Sequence, residues 1–343
     1  MKTITHNELK EVVNHAYDKK VPLFIWGAMG IGKSSVIRDL SKERNLKCVD
    51  VRISQLEPAD LRGLPSVDNG VTKWLTPNWL PKDKDSKGIL FFDELNLAVP
   101  SIQASCYQLI LDRKLGDYEL PEGWVIVSAG NRVEDRANVF EMSSPLANRF
   151  IHVELGVPSV ESWTDWALQN GIDSRIISFL HFKQSRLFGF DSKNKDKAFG
   201  TPRTWDYCSS LIKGMDYDKS KVLLNTLVAS SVGEGTAIEM LAFLKLQRKV
   251  NAEDILKNPK KINDITEIDL KYSLLSSISD YYNKHKKKET LGQILGVVKE
   301  MEAEFGILLL RLSKANDVNF FKNNVITIPL FKELSQQYAK YLI

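Results

Sequence analysis

The chain has little cysteine, little net charge and no long apolar run. Its 343 residues include three cysteines, Cys48, Cys106 and Cys208, without the paired spacings that hold zinc or build a disulfide framework. An odd count in an ordinary chain points to reduced thiols. Lysine and arginine total 47 against 43 acidic residues, a net charge of +4, too small to argue for nucleic acid by itself. No apolar run approaches the roughly 18 residues of a membrane-spanning helix. The start, Met1-Lys2-Thr3-Ile4-Thr5-His6, lacks the apolar core of a secretory signal. No membrane and a cytoplasmic location are expected. There is no internal repeat and no low-complexity segment. What is present is an ordinary globular mix, 43% hydrophobic and 26% charged, long enough for two domains.

The densest signal is Phe24-Ile25-Trp26-Gly27-Ala28-Met29-Gly30-Ile31-Gly32-Lys33-Ser34-Ser35. It reads as an apolar strand, then G-x-x-x-x-G-K-S, then the start of a helix, which is the context a phosphate-binding loop requires. Glycines let the backbone curl around an oxyanion without Cβ clashes. Loop N–H groups and the helix N-terminus point at phosphate. Lys33 supplies a mobile charge for the β- and γ-phosphates and Ser34 a hydroxyl for Mg²⁺. A bound nucleoside triphosphate is expected, held by Gly27 to Ser35.

Strand and helix patterns alternate up to about residue 157. Thr5-His6-Asn7-Glu8 is a capping box opening a helix whose apolar face is Leu9, Val12, Val13 and Ala16. Strands are expected at 22–26, 47–54, 89–92, 124–128 and 150–155, and helices at 33–44 and 101–112. The run at 89–92 is apolar on both faces, as in a parallel sheet covered by helices. This is the pattern of a doubly wound α/β sheet. Residues 55–88 do not fit plain alternation, being too long for an ordinary crossover. They contain Val67-Asp68-Asn69-Gly70-Val71, a hairpin turn signal, followed by Trp74-Leu75 and Trp79-Leu80. Such an insert either carries function or packs on its own domain. From residue 158 strands nearly vanish, with helices expected at 159–169, 174–183, 203–213, 221–230 and 236–245. Lys284-His285-Lys286-Lys287-Lys288-Glu289 reads as a solvated linker, with an acidic partner surface as the alternative. Residues 319–343 hold a short strand candidate, Val325-Ile326-Thr327-Ile328, and a final helix.

Asp93-Glu94 ends the apolar run 89–92. A carboxylate there, beside a phosphate loop, can hold Mg²⁺, the role assigned to Asp93. Glu94, one residue on, can orient or deprotonate an attacking water. Asn131 follows Ser128-Ala129-Gly130. It faces the space between Asp93 and the γ-phosphate if its strand lies beside the first. Arg149, in Pro145-Leu146-Ala147-Asn148-Arg149-Phe150, is placed to complete a neighbouring subunit's site, a role worth about 10³–10⁵ in rate; Arg132 and Arg136 compete for it. Arg203 opens a helix after Thr201, a good N-cap, and Pro202, and can report phosphate to the second domain.

Together these motifs resemble the AAA+ ATPases, and within them the MoxR-like branch, in a bacterial and phage subgroup. The matches are Gly27 to Ser34 as Walker A, Ile89 to Glu94 as Walker B, Asn131 as sensor 1, Arg149 as arginine finger and Arg203 as sensor 2. The segments Val51-Arg52-Ile53-Ser54-Gln55-Leu56-Glu57-Pro58-Ala59-Asp60-Leu61-Arg62-Gly63 and Phe92-Asp93-Glu94-Leu95-Asn96 carry the subgroup likeness. Ala28-Met29 stand where the family usually has Pro-Pro. The resemblance covers roughly residues 1–280. It implies a P-loop α/β domain at 1–157 with a hairpin-bearing insert, a helical lid at 158–280 and a mostly helical extension at 281–343. It further implies an ATP hydrolase with ATP and Mg²⁺ as cofactors and a homo-oligomeric ring, usually a hexamer. Its work would be to remodel or mature a protein partner, often one with a von Willebrand factor A domain, with Arg203 acting in cis or in trans.

Three other functions compete. A nucleic-acid-stimulated motor is disfavoured because no basic stripe is interleaved with aromatics, and Lys82, Lys84 and Lys87 alternate with Asp83 and Asp85. A small-molecule kinase leaves Asn131, Arg149 and Arg203 unexplained. A nucleotide-gated assembly scaffold uses the same parts and stays open.

Overall fold

The apolar runs of the first half pair side by side, in the computed structural model, as a six-stranded sheet whose neighbours are all parallel. The structure describes residues 1–135, 140–191, 193 and 196–342. They divide into two units, Met1–Pro158 and Ser159–Ile343.

In the first unit the strands, in chain order, are β1 (Thr3–Ile4), β2 (Leu23–Trp26), β3 (Lys47–Arg52), β4 (Leu64–Asp68), β5 (Val71–Leu75), β6 (Gly88–Asp93), β7 (Lys114–Leu115), β8 (Tyr118–Glu119), β9 (Trp124–Gly130) and β10 (Ile151–Leu155). Its helices are α1 (His6–Lys19), α2 (Lys33–Glu43), α3 (Pro58–Arg62), α4 (Pro100–Asp112) and α5 (Ser144–Ala147). The sheet order is β1-β10-β2-β9-β6-β3. Phe24, Leu90, Phe92, Trp124 and Ile126 join Ile102, Cys106 and Leu109 of α4 in one core. Their neighbours Ile25, Ile89, Phe91, Val125 and Val127 are fully buried too, and alternation along a strand turns them to the opposite face, where α1 and α2 pack. Each such side chain contributes about 1.5–3 kcal/mol. The capping box of Thr5 and Glu8 forms as expected. β1 was not anticipated: two residues are too short to read as a strand, yet they extend the edge by pairing with Glu154 and Leu155.

The register carries the functional consequence. Trp26 lies opposite Gly130, Ser128 opposite Phe92, and Arg52 opposite Asp93. The C-terminal strand ends are therefore level at one edge, where open α/β sheets bind ligands. Since β9 lies between β2 and β6, the condition set for Asn131 is met.

The insert holds α3 and the β4–β5 hairpin, closed by Asn69 (φ 51°) and Gly70 (φ 78°) in a left-handed two-residue turn. The hairpin's apolar residues stay outside: Val67 is 81% exposed, and Leu64, Val71 and Leu75 about 60%. The two tryptophans part company. Trp79 donates to the Asp60 carbonyl at 3.0 Å and packs edge-on against Phe92. Trp74 stays exposed on the hairpin, leaning towards the β7–β8 turn at Gly116.

The second unit is helical: α6 (Val160–Gln169), α7 (Ser174–Phe182), α8 (Pro202–Ile212), α9 (Tyr217–Val232), α10 (Glu234–Leu246), α11 (Ala252–Lys257), α12 (Ile268–Lys284), α13 (Lys288–Glu300), α14 (Ala303–Asn316), α15 (Val318–Val325) and α16 (Pro329–Leu342). One core runs from Val160 to Leu334, and α12 continues through residue 280, where a border between lid and extension was expected. The strand expected at 325–328 does not form. Asp317 caps α15 through the Phe320 N–H, that helix takes Val325, and Pro329 opens α16. Four β-branched residues without a strand to pair with follow their helical neighbours. The basic run at 284–289 is exposed and spans the end of α12, the turn at 285–287 and the start of α13. Among the described residues no helix is long and apolar enough to cross a membrane.

Candidate active site

Strand β2 delivers the glycine loop to the N-terminus of α2. Gly27, Gly30 and Gly32 have φ of 156°, 72° and 100°. A Cβ at Gly27 would stand 2.8 Å from the Leu155 carbonyl oxygen, so the loop's entry needs glycine for space. Ala28 and Ile31 are buried, Met29, Gly30 and Ser35 half-buried. The Ile31 carbonyl accepts a 2.7 Å hydrogen bond from His6 Nε2 at the start of α1. Burial holds that imidazole below its usual range.

Lys33 Nζ donates to the carbonyls of Gly27 (2.7 Å) and Ala28 (2.9 Å) and to Asn131 Oδ1 (2.9 Å). Ser34 Oγ donates to Asp93 Oδ2 at 2.9 Å. Asp93 Oδ1 accepts the Glu94 N–H at 3.0 Å. Glu94 is left-handed (φ 57°, ψ 33°), a conformation that costs a non-glycine residue about 1–2 kcal/mol. Its Oε2 accepts a 2.8 Å hydrogen bond from Ser54 Oγ beyond β3. On β3, partial burial and the charge of Asp93 push the Asp50 carboxyl upward. Lys33, Ser34, Asp93, Glu94 and Asn131 thus form one constellation at the sheet edge.

The remaining predicted residues stand differently. Among the described residues Arg149 donates to the Pro145 carbonyl and lies over the Tyr107 ring at 3.9 Å. Its Nε is buried without a hydrogen-bond partner, and it bonds to none of the five residues above. Arg132 is committed elsewhere: it pairs with Asp135 at 2.8 Å and Glu154 at 3.0 Å, and the Asp135 hydrogen bond raises its guanidinium above the usual range. Arg136 lies outside the described residues. Arg203 is exposed in the first turn of α8, in the second unit, behind the expected Thr201 cap, which Thr204 makes reciprocal.

Residues 22–150 match the family model described as the AAA domain of the dynein-related subfamily. The first unit carries an AAA domain. With that domain and this constellation, the protein is an ATP hydrolase. No curated protein matches the chain. Among solved structures it is similar to a RuvB variant of Thermotoga maritima, at 16% identity over 75% of this chain and 76% of that one, with a TM-score of 0.41. It is also similar to NtrX from Brucella abortus in complex with ADP, at 15% identity over 98% and 68%, with a TM-score of 0.38. Likenesses this weak carry no argument about function.

The AAA domain's donor set also fits a divalent cation. Ser34 and Asp93 offer hard oxygens already within hydrogen-bond distance of each other, and hard cations favour oxygen ligands. Among the described residues no group of three or more His, Cys, Asp or Glu could hold a metal by itself. Sequence reading had not singled out three residues: His6 against the loop, Ser54 on Glu94, and Asn96, whose amide meets Asn131. Ser54 and Asn96 lie within the two segments that carry the subgroup likeness, and His6 follows the Thr5 cap; none of the three shows its spatial partner locally.

Proposed function

We propose that the protein is a MoxR-like AAA+ ATPase that assembles as a homo-oligomeric ring of six copies and couples ATP hydrolysis to the remodelling or maturation of a protein partner. A partner with a von Willebrand factor A domain suits this reading, as does a cytoplasmic setting, given three free thiols. The loop N–H groups and Lys33 bind the β- and γ-phosphates. Ser34 and Asp93 would hold Mg²⁺, which would neutralise phosphate charge. Glu94 takes the proton of the attacking water and Asn131 holds that water. Arg149 of an adjacent copy stabilises charge on the γ-phosphate, and Arg203 reports nucleotide to the helical unit. In support of action in trans, the partners of Arg149 among the described residues are the Pro145 carbonyl and the Tyr107 ring, outside its own chain's constellation.

The observation that carries the partner reading is the β4–β5 hairpin. It holds Leu64, Val67, Val71, Trp74 and Leu75 in water, and exposed apolar groups gathered on one element mark an interaction surface. The test is recovery of bound protein on Glu94→Gln in ATP. A specific protein should be retained, released in ADP, and lost when Val67 and Val71 are changed to serine. Retention of no protein, together with DNA-stimulated turnover falling steeply with salt, would favour a nucleic-acid motor instead.

A further inference from the structure

Asn96 sits in the 3₁₀ turn Leu95–Leu97 directly after Glu94 and is 2% exposed. A buried primary amide must find partners for its donors and acceptor. Asn96 finds them on the backbone of one residue. Its Nδ2 donates to the Asn131 carbonyl at 2.8 Å, and its Oδ1 accepts the Asn131 N–H at 3.2 Å. The approach is so close that a Cβ on Gly130 would lie 2.3 Å from Asn96 Oδ1. The side chain of Asn131, fixed in this way from behind, accepts from Lys33 Nζ at 2.9 Å. The turn that carries Glu94 and the strand end that carries Asn131 are therefore tied by one amide.

We propose that Asn96 is a positioning residue for ATP hydrolysis. Its two-point grip on the Asn131 backbone holds the Asn131 side chain in one orientation towards Lys33 and the γ-phosphate, and keeps that orientation in step with Glu94. The proposal rests on the reading of Asn131 as the group that holds the attacking water. A polar group displaced by about 1 Å can cost on the order of 10²-fold in rate while binding survives, so the signature is in kcat.

The experiment compares Asn96→Ala, Asn131→Ala and the double variant in the full chain, by steady-state ATPase kinetics, fluorescent ADP binding and thermal melting. Asn96→Ala is expected to lower kcat about 10- to 100-fold, with KM and ADP affinity within about threefold. If Asn96 acts only through Asn131, adding Asn96→Ala to Asn131→Ala changes kcat by less than about twofold. A further full loss in the double variant, or a normal kcat in Asn96→Ala, overturns the proposal. Normal turnover in Asn131→Ala removes the reading beneath it, and is told apart because that single variant alone reports it. Should Asn96→Ala not fold, Asn96→Asp, which keeps the shape and the acceptor but loses the donor, and Gly130→Ala, whose methyl displaces the amide, make the same comparison. A normal kcat in both would overturn it.

Discussion

Ser54 Oγ donates a 2.8 Å hydrogen bond to Glu94 Oε2. The carboxylate proposed to activate water is thereby engaged by a residue just beyond the neighbouring strand β3, and an oxygen held by that hydroxyl is less available to a water. Ser54→Ala is expected to raise the basal ATPase rate about 2- to 10-fold, the net worth of one such bond. Glu94→Gln should bind ATP normally and lose about 10²–10⁴ in kcat. Single-turnover ATPase assays with a parallel binding titration measure both. A rate that falls in Ser54→Ala would mean that Ser54 orients the carboxylate rather than restraining it.

Lys33 makes hydrogen bonds to two loop carbonyls and to Asn131, and its charge is the strongest attraction the loop offers to phosphate. Lys33→Ala should weaken nucleotide binding by about 1.5–3 kcal/mol, about 10- to 100-fold in Kd. The melting temperature should change little without nucleotide, and the stabilisation that ADP gives the wild type should disappear.

The helical unit contains a pH-dependent element. Thr164 Oγ1 donates to the Val160 carbonyl at 2.7 Å, so its one proton is spent, and His181 Nε2 must donate to that hydroxyl across 3.0 Å. Burial, with the nearby charge of Arg311, holds His181 down to about 4. Above the unfolded value near 6.5 the imidazole is neutral in both states. Between 6.5 and 4 the unfolded chain takes up a proton that the folded chain refuses. Stability therefore falls as pH drops through that window, by on the order of 3 kcal/mol in all. Thermal melts at pH 7.5 and 5.0 should show a larger drop for the wild type than for His181→Phe. Equal drops would remove His181 from the account.

The parts legible in the sequence are those whose cause is local. The glycine loop, the Asp93-Glu94 pair, the Asn69-Gly70 turn and the Thr5 and Thr201 caps each depend on a few adjacent residues. The parts that were not legible depend on which strands become neighbours. Ser54 reaches Glu94 because β3 pairs with β6, and Asn96 reaches Asn131 because β9 lies on the other side of β6. Two residues of β1 gave no periodicity to read. Residues 325–328 have strand-forming side chains, but packing against α13 and α14 drew them into a helix end and turn. Trp74 and Trp79 look alike in sequence, and their different fates follow from the hairpin that carries one of them away from the core.

The most direct test of the account is activity in mixed assemblies. If the pocket of one copy is completed by Arg149 of the next, Arg149→Ala and Lys33→Ala are each inactive alone. Mixing them restores part of the wild-type rate, because some interfaces then join an intact loop to an intact arginine. The recovered rate should vary with mixing ratio and peak near equal parts. No recovery at any ratio, or full turnover by a protein that stays a single copy with saturating ATP and Mg²⁺, would contradict it.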